Sequence, residues 1–403
     1  MKLNFKIESL IMAIWIVAYN FIGNQLWIFG SIILSVLFLL TQYKKKINFK
    51  LFNNILYLLI PIFLGVSATI VLDTEFFNTD SIRDIYYILI PIISYFFGLI
   101  MSIIMDNKDI KDTIVISTIL TILIDIFKIA SYNQYDNFKF LEFRDYMGVS
   151  DYILVVGLFV LLLENKYNRN IKVILIIILL VDITIYFSRI SILFVLITFI
   201  LYLFNKFKYL KNNSKELKTI TLVTIVGFFL LILINILFPE FSEKVLYTFE
   251  ELSSNNNWSK IENISLNWRG YEIYCAKLDI KNNFGLIEYL LGNGFGYRTP
   301  LTILYNIGGI DYLSLPILHN GFYSIFSKYG VIGLLSYICF FIMYIKNIRK
   351  SRNINVKIIA SSICLFLVIS TFFVMGIFYE SQLCLLVLLM GLYYGNLYVR
   401  GLS

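Results

Sequence analysis

Apolar runs of about 15 to 25 residues recur along nearly the whole chain, and about 20 such residues are what a helix needs to cross the hydrocarbon of a bilayer. Nothing else in the sequence restricts the fold as much. A peptide in hydrocarbon must satisfy its own backbone hydrogen bonds, so repeated apolar runs imply helices that cross and return. Composition agrees: 59% of the residues are hydrophobic and 15% charged, against about 25% charged in a soluble domain. The expected class is an all-α, polytopic membrane helix bundle.

Twelve spans can be placed, at roughly 7–23, 26–42, 51–72, 85–105, 113–130, 149–163, 172–187, 190–204, 219–238, 321–345, 358–376 and 383–399. They divide the chain into a bundle of nine helices over residues 1–238, a polar segment over 239–318, and three more helices over 319–403. Lysine and arginine mark the cytoplasmic side of a membrane protein. Three basic loops lie on one side in this arrangement: Lys44, Lys45 and Lys46; Lys206, Lys208, Lys211, Lys215 and Lys218; and Lys346, Arg349, Lys350, Arg352 and Lys357. Both termini are then cytoplasmic. The stretches 73–84, 131–148 and 239–318 and the Ser188–Arg189 turn face outward. The long segment carries SSNNNW and many aromatic residues, reads as partly helical in NWRGYEIYCAKLDI, and should turn tightly in the glycine-rich LLGNGFGYRT.

The net charge of +8 is accounted for by these loops, so nucleic acid is not an expected partner. Three of the four cysteines lie in apolar spans and Cys275 lies alone in the polar segment, which makes no disulfide framework. One histidine and scattered carboxylates make no zinc site. Met1 to Gly23 reads as a first span rather than a cleavable leader. The Gly292, Gly294 and Gly296 run follows no βαβ strand and is not a nucleotide fingerprint.

Charges at a bilayer are costly and therefore worth reading one by one. Arg189 sits between spans seven and eight, in a stretch too short for two full crossings of about 20 residues each. Its turn is expected to be drawn inward, with the side chain either snorkelling to headgroups or paired with Asp182. Arg144 and Arg269 read alone as surface arginines. The topology nevertheless places Arg144, Arg189, Arg269 and His319, the only histidine of the chain, on the same outer face. Guanidinium groups fork onto phosphate oxygens and stay charged, so the group suits a lipid-linked phosphate or diphosphate. His319–Asn320 opens span ten. On a continuous helix Gly330 lies beneath His319 and Gly333 close by, small residues that admit another helix. The helix dipole favours a neutral imidazole, which is what a general base requires; a cap or a headgroup contact remains open for the same residue. Asp125 and Lys128, one turn apart, form an intramembrane pair that a transporter would use as part of a proton path.

HNGFYSIFSKYGVIG resembles the histidine motif of the O-antigen polymerase and O-antigen ligase superfamily: His-Asn, nine residues, Gly, two residues, Gly. WRGYEIYCAKLDI followed by LLGNGFG resembles that family's arginine-bearing outer loop, SRISILFVL its Ser-Arg turn, and RDYMGVSDYILVVGLFVLLL the arginine-bearing approach to the next span. The likeness runs in order from Arg144 to Tyr344. It implies a GT-C type glycosyltransferase with no cofactor and no metal, acting outside the cytoplasm of a bacterium on undecaprenyl-diphosphate-linked glycans, as donor and as acceptor, with inversion. Arg189 and Arg269 would grip the donor diphosphate and His319 would activate the acceptor hydroxyl. Arg144, Asn320 and Tyr323 are further substrate-binding candidates, and a chain-length regulator is a candidate partner. Trp258, Trp268 and Tyr297 could line a sugar groove or sit at the interface. Polymerase is the favoured member, with ligase the nearest alternative and a flippase a more distant one.

Overall fold

The computed structural model describes residues 6–41, 49–72, 78–132, 140–148, 152–164, 169–186, 188–210, 214–239, 243, 251, 258, 260–307, 309–379 and 381–399. Lys44, Lys45, Lys46 and Lys211, and the 253–257 part of the SSNNNW tract, lie outside them.

The helices are α1 (Ile7–Thr41), α2 (Leu56–Val71, after a 3-10 turn at Phe49–Ile55), α3 (Thr79–Ile104), α4 (Asn107–Ser131), α5 (Phe140–Met147), α6 (Tyr152–Leu163), α7 (Arg169–Ile185), α8 (Arg189–Leu210) and α9 (Ser214–Leu237). After them come α10 (Ile261–Leu266), α11 (Trp268–Asn283), α12 (Leu286–Leu291), the strands β1 (Thr299–Ile307) and β2 (Ile310–Leu315), and then α13 (Gly321–Ile348), α14 (Ile354–Phe373) and α15 (Cys384–Val399). Among the described residues, seven helices are long and apolar enough to cross a membrane. The chain is a helical membrane protein, and the apolar runs of the sequence fall on its helices.

Two helices are not single rods. In α1, Gly23 has φ +71°, a conformation that only glycine adopts without strain. The Trp15 indole N–H donates to Ser31 Oγ at 3.0 Å, and the Trp27 N–H to the Trp15 carbonyl at 3.1 Å. Residues 15 and 31 would stand about 24 Å apart on a straight helix. The chain therefore doubles back at Gly23, and the two expected spans over 7–42 are the arms of a helical hairpin. In α13 the break is at Gly330, with φ +63°. The Phe322 and Tyr337 ring centroids are 6.3 Å apart where a straight helix would separate the residues by about 22 Å. This corrects the reading of one continuous span with Gly330 beneath His319: residues 321–329 form a separate short helix that meets the rest of α13 at a sharp angle.

The break at Gly330 is held by the glycine-rich loop. Ser327 and Lys328, whose carbonyls lose their partners one turn onward, accept instead from the N–H groups of Asn293 and Gly294, each at 3.0 Å. A methyl group on Gly330 would collide with the Leu290 carbonyl, and one on Gly292 with the Lys328 backbone. What approaches Gly330 is thus the last turn of α12 with the loop after it, while Gly333 faces Leu64 of α2. Close helix–helix approach occurs elsewhere, between α3 and α15, where Gly98 meets Gly391 and Ser102 meets Gly395. This is the small-residue spacing that lets membrane helices touch by their backbones.

The same loop is tied into the bundle by charge. The Phe295 N–H donates to Thr69 Oγ1 at 3.1 Å and the Gly296 N–H to Asp84 Oδ2 at 2.8 Å. Lys328 Nζ stands 2.6 Å from the same Asp84 oxygen, with both residues buried. Arg298 donates from Nη1 to Asp80 at 2.9 Å and from Nε to Ser314 Oγ at 3.0 Å. Without Lys328, buried Asp84 keeps only Arg83 Nη2, 3.3 Å from its Oδ1, and the Gly296 N–H, and a buried charge stripped of a partner costs up to about 3 kcal/mol. Lys328→Met should therefore lower the thermal unfolding midpoint of the detergent-solubilised protein substantially. Asp84→Asn added to it should recover part of the loss.

The segment between α9 and α13 has a small core of its own: Trp258, Ile264, Tyr271 and Cys275, covered by Trp268, Leu301 and Tyr305. Its β1–β2 hairpin is antiparallel, with Tyr305 opposite Tyr312 and Thr299 opposite Leu315. It is the one departure from an all-α fold among the described residues.

Candidate functional site

Helix α11 carries the centre of the site. Arg269 lies in its first turn and Glu272 three residues later, so both project from one face. Glu272 is buried. Its carboxylate accepts twice from His319: from the backbone N–H at 2.7 Å through Oε2, and from the ring at Nδ1, 2.8 Å from Oε1. A carboxylate can only accept, so Nδ1 carries the proton and a neutral His319 keeps its lone pair on Nε2. Burial pulls the His319 pKa down, but the hydrogen bond and charge of Glu272 outweigh it and hold the value above the ordinary 6.5, with Arg269 opposing and Glu251 assisting. The sequence predicts a neutral imidazole; the raised pKa instead keeps the ring charged to a higher pH.

Arg189 opens α8 and comes to the same place from a different part of the chain. Its Nη1 stands 3.5 Å from Glu251 Oε2, and Arg269 Nε stands 3.6 Å from Glu251 Oε1. The Glu251 backbone is fixed by the Gly270 N–H, which donates to its carbonyl at 2.9 Å. Two guanidinium groups thus face the two oxygens of a single carboxylate. Both spacings exceed the 2.7–2.9 Å usual for charge-assisted bonds, so neither guanidinium group grips the carboxylate tightly.

The other expected residues divide. Asn320 caps α13: its Oδ1 accepts from the N–H groups of Phe322 and Tyr323 at 3.1 and 3.3 Å, and its Nδ2 donates to the Phe372 carbonyl at 3.2 Å. Its side chain is committed to the backbone. Tyr323 packs partly buried against Ala276, Leu315 and Leu318. Arg144 belongs to α5, and its side chain lies outside the described residues. Of the three rings considered for a sugar groove, Trp258 is buried in the small core, Trp268 stacks on Tyr305 at 4.7 Å, and Tyr297 donates its hydroxyl to Asp279. These contacts are internal to the segment. Asp125 accepts from the Tyr186 hydroxyl at 2.7 Å and has Lys128 at 4.0 Å, while Lys128 also donates to the Met147 carbonyl at 2.7 Å.

Glu251 and Glu272 were not legible as site residues. A signal for Glu272 existed, since it follows Arg269 at helical spacing in WRGYEIY. None existed for Glu251, which joins the site through tertiary structure alone. Among the described residues, no three His, Cys, Asp or Glu side chains gather to hold a metal ion. No family model matches the chain, and no curated protein matches it.

Proposed function

We propose that the chain is a bacterial polysaccharide polymerase of the O-antigen polymerase and ligase superfamily, with twelve spans and GT-C architecture. It would join undecaprenyl-diphosphate-linked repeat units of an O-antigen, capsule or exopolysaccharide at the outer face of the cytoplasmic membrane. The observation that carries this reading is the convergence of Arg189 and Arg269 on one carboxylate, next to a histidine whose Nδ1 is held by buried Glu272. In the reaction, Nε2 of His319 takes the proton of the acceptor hydroxyl as its oxygen attacks the anomeric carbon. The bond from that carbon to the diphosphate breaks on the opposite face, giving inversion. The lipid diphosphate leaves with the electron pair, and the two arginines neutralise its growing charge, the kind of fixed electrostatic stabilisation that contributes most to many enzymes. Glu251 holds the anion seat and gives way to phosphate. No metal ion is required by this scheme.

Only neutral His319 is a base, so transfer should rise with pH through the elevated pKa and level off above it. Glu272→Gln removes the charge that elevates the pKa. Its acid limb should shift to lower pH, while the plateau falls by about 10²-fold, within the usual range of general-base effects. An unshifted limb in a pH–rate profile would remove Glu272 from this role.

Reconstitution with a purified undecaprenyl-diphosphate repeat unit, with and without a second acceptor, tests the function. A ladder from the repeat unit alone supports polymerase. Transfer only to the second acceptor means ligase, and lipid translocation without a covalent product means flippase.

A further inference from the structure

Helix α12, LIEYLL, is unlike its neighbours. It lies in the polar segment between α9 and α13, outside the spans, yet it buries none of its residues. Leu286 is 77% exposed, Ile287 47%, Tyr289 48% and Leu290 39%. Helix α11, directly before it, presents polar side chains instead, with Lys277, Lys281, Asn282 and Asn283 exposed and Ile273, Cys275 and Ala276 buried. In water, α12 would be an unexplained cost, at roughly 25 cal/mol per Å² of apolar surface left wet.

Its position supplies the explanation. Helix α12 packs on α2 and on α13, and the loop after it is bonded to Thr69, in the last turn of α2. At that end of α2 the outward residues Ile70 and Val71 are 70% and 56% exposed, as lipid-facing residues of a span are. The apolar face of α12 therefore continues the membrane-facing surface of α2 past the end of the span. Aromatic rings gather at the same level: Tyr289 lies edge-on to Phe326 at 5.1 Å, and Phe284 stacks on Phe326 at 6.1 Å. Tyrosine concentrates at membrane–water boundaries, and a helix with one apolar and one polar face can lie in that boundary.

We infer that α12 is an interfacial anchor, lying at the headgroup–acyl boundary with Leu286, Ile287, Tyr289 and Leu290 dipping into lipid. The occupant of this face is the bilayer itself. Through the Leu290–Gly294 turn the anchor is joined to the broken part of α13, so it fixes the height of His319 relative to the membrane. The inference needs only that the chain spans a membrane and is independent of the reaction proposed above.

The test uses the full-length protein in vesicles of phosphatidylethanolamine and phosphatidylglycerol, with photoreactive p-benzoylphenylalanine at position 286, 287 or 281. Position 63, 68% exposed on α2, calibrates full lipid contact. After irradiation, lipid adducts are read by intact mass. Yields at 286 and 287 within about threefold of position 63, and at least tenfold above position 281, are expected. Yields at 286 and 287 no higher than at 281 would overturn the inference, and so would adducts at those positions that join two copies of the chain.

Discussion

His319→Ala should reduce glycosyl transfer by about 10²–10⁴-fold, the contribution of a positioned general base, and repeat-unit ladders should disappear from cells that depend on the protein. Structural damage has to be separated from lost chemistry, because the ring is one of two donors to buried Glu272. Leaving that carboxylate with only the backbone N–H costs about 1–3 kcal/mol. His319→Asn is the cleaner variant: its amide N–H₂ can take the place of Nδ1–H toward Glu272, but it offers no basic nitrogen where Nε2 stood. The asparagine protein should insert and unfold like the wild type while transferring no glycan. Normal ladders from it would remove the base from the mechanism.

Arg189→Lys and Arg269→Lys should each lower transfer by about 10²-fold or more. A lysine keeps the charge but not the planar fork that holds two phosphate oxygens at once. The loss should fall on kcat more than on KM, because the charge to be neutralised grows as the glycosidic bond breaks. Glu251→Gln should act in the opposite sense on binding. A neutral side chain competes less with an incoming anion for the two guanidinium groups, and the donor KM should fall. Transfer of radiolabelled repeat units measures all three. Full activity of the lysine variants would point to arginines that merely anchor at the interface, and a higher KM for Glu251→Gln would mean the carboxylate organises the arginines.

Much of the bundle is legible in the sequence because hydrocarbon leaves so little choice: an apolar run of sufficient length must become a helix. The short spans over 7–42 are resolved as a hairpin because the glycine between them can take a positive φ and nothing larger could do so without strain. The break at Gly330 was not legible. Helical spacing put Gly330 beneath His319, and only the docking of the Gly292–Gly294 loop, distant in sequence, makes a break at that residue favourable. The β hairpin has only a weak local signal, in the strand-favouring Thr299, Thr302, Ile303 and Ile307 and the Gly-Gly pair that follows. In the sequence the aromatic residues suggest a sugar groove or a membrane interface, whereas Tyr305 and Trp268 close a small core. At the site, Arg189, Arg269 and His319 could be chosen from topology. The two carboxylates that organise them could not, because burial of Glu272 and convergence on Glu251 are properties of the folded chain.

The central claim is that Glu272 sets the tautomer and basicity of the one histidine near the arginine pair. A single histidine makes this directly measurable. Protein labelled with ¹⁵N-histidine, carried on a histidine-free affinity tag and embedded in lipid, gives one imidazole pair in magic-angle-spinning NMR. The spectrum should show a proton on Nδ1 and an unprotonated Nε2 at high pH, with a titration midpoint above 6.5 that drops in Glu272→Gln. A proton on Nε2, or a midpoint at or below 6.5 that ignores Glu272→Gln, would contradict the account.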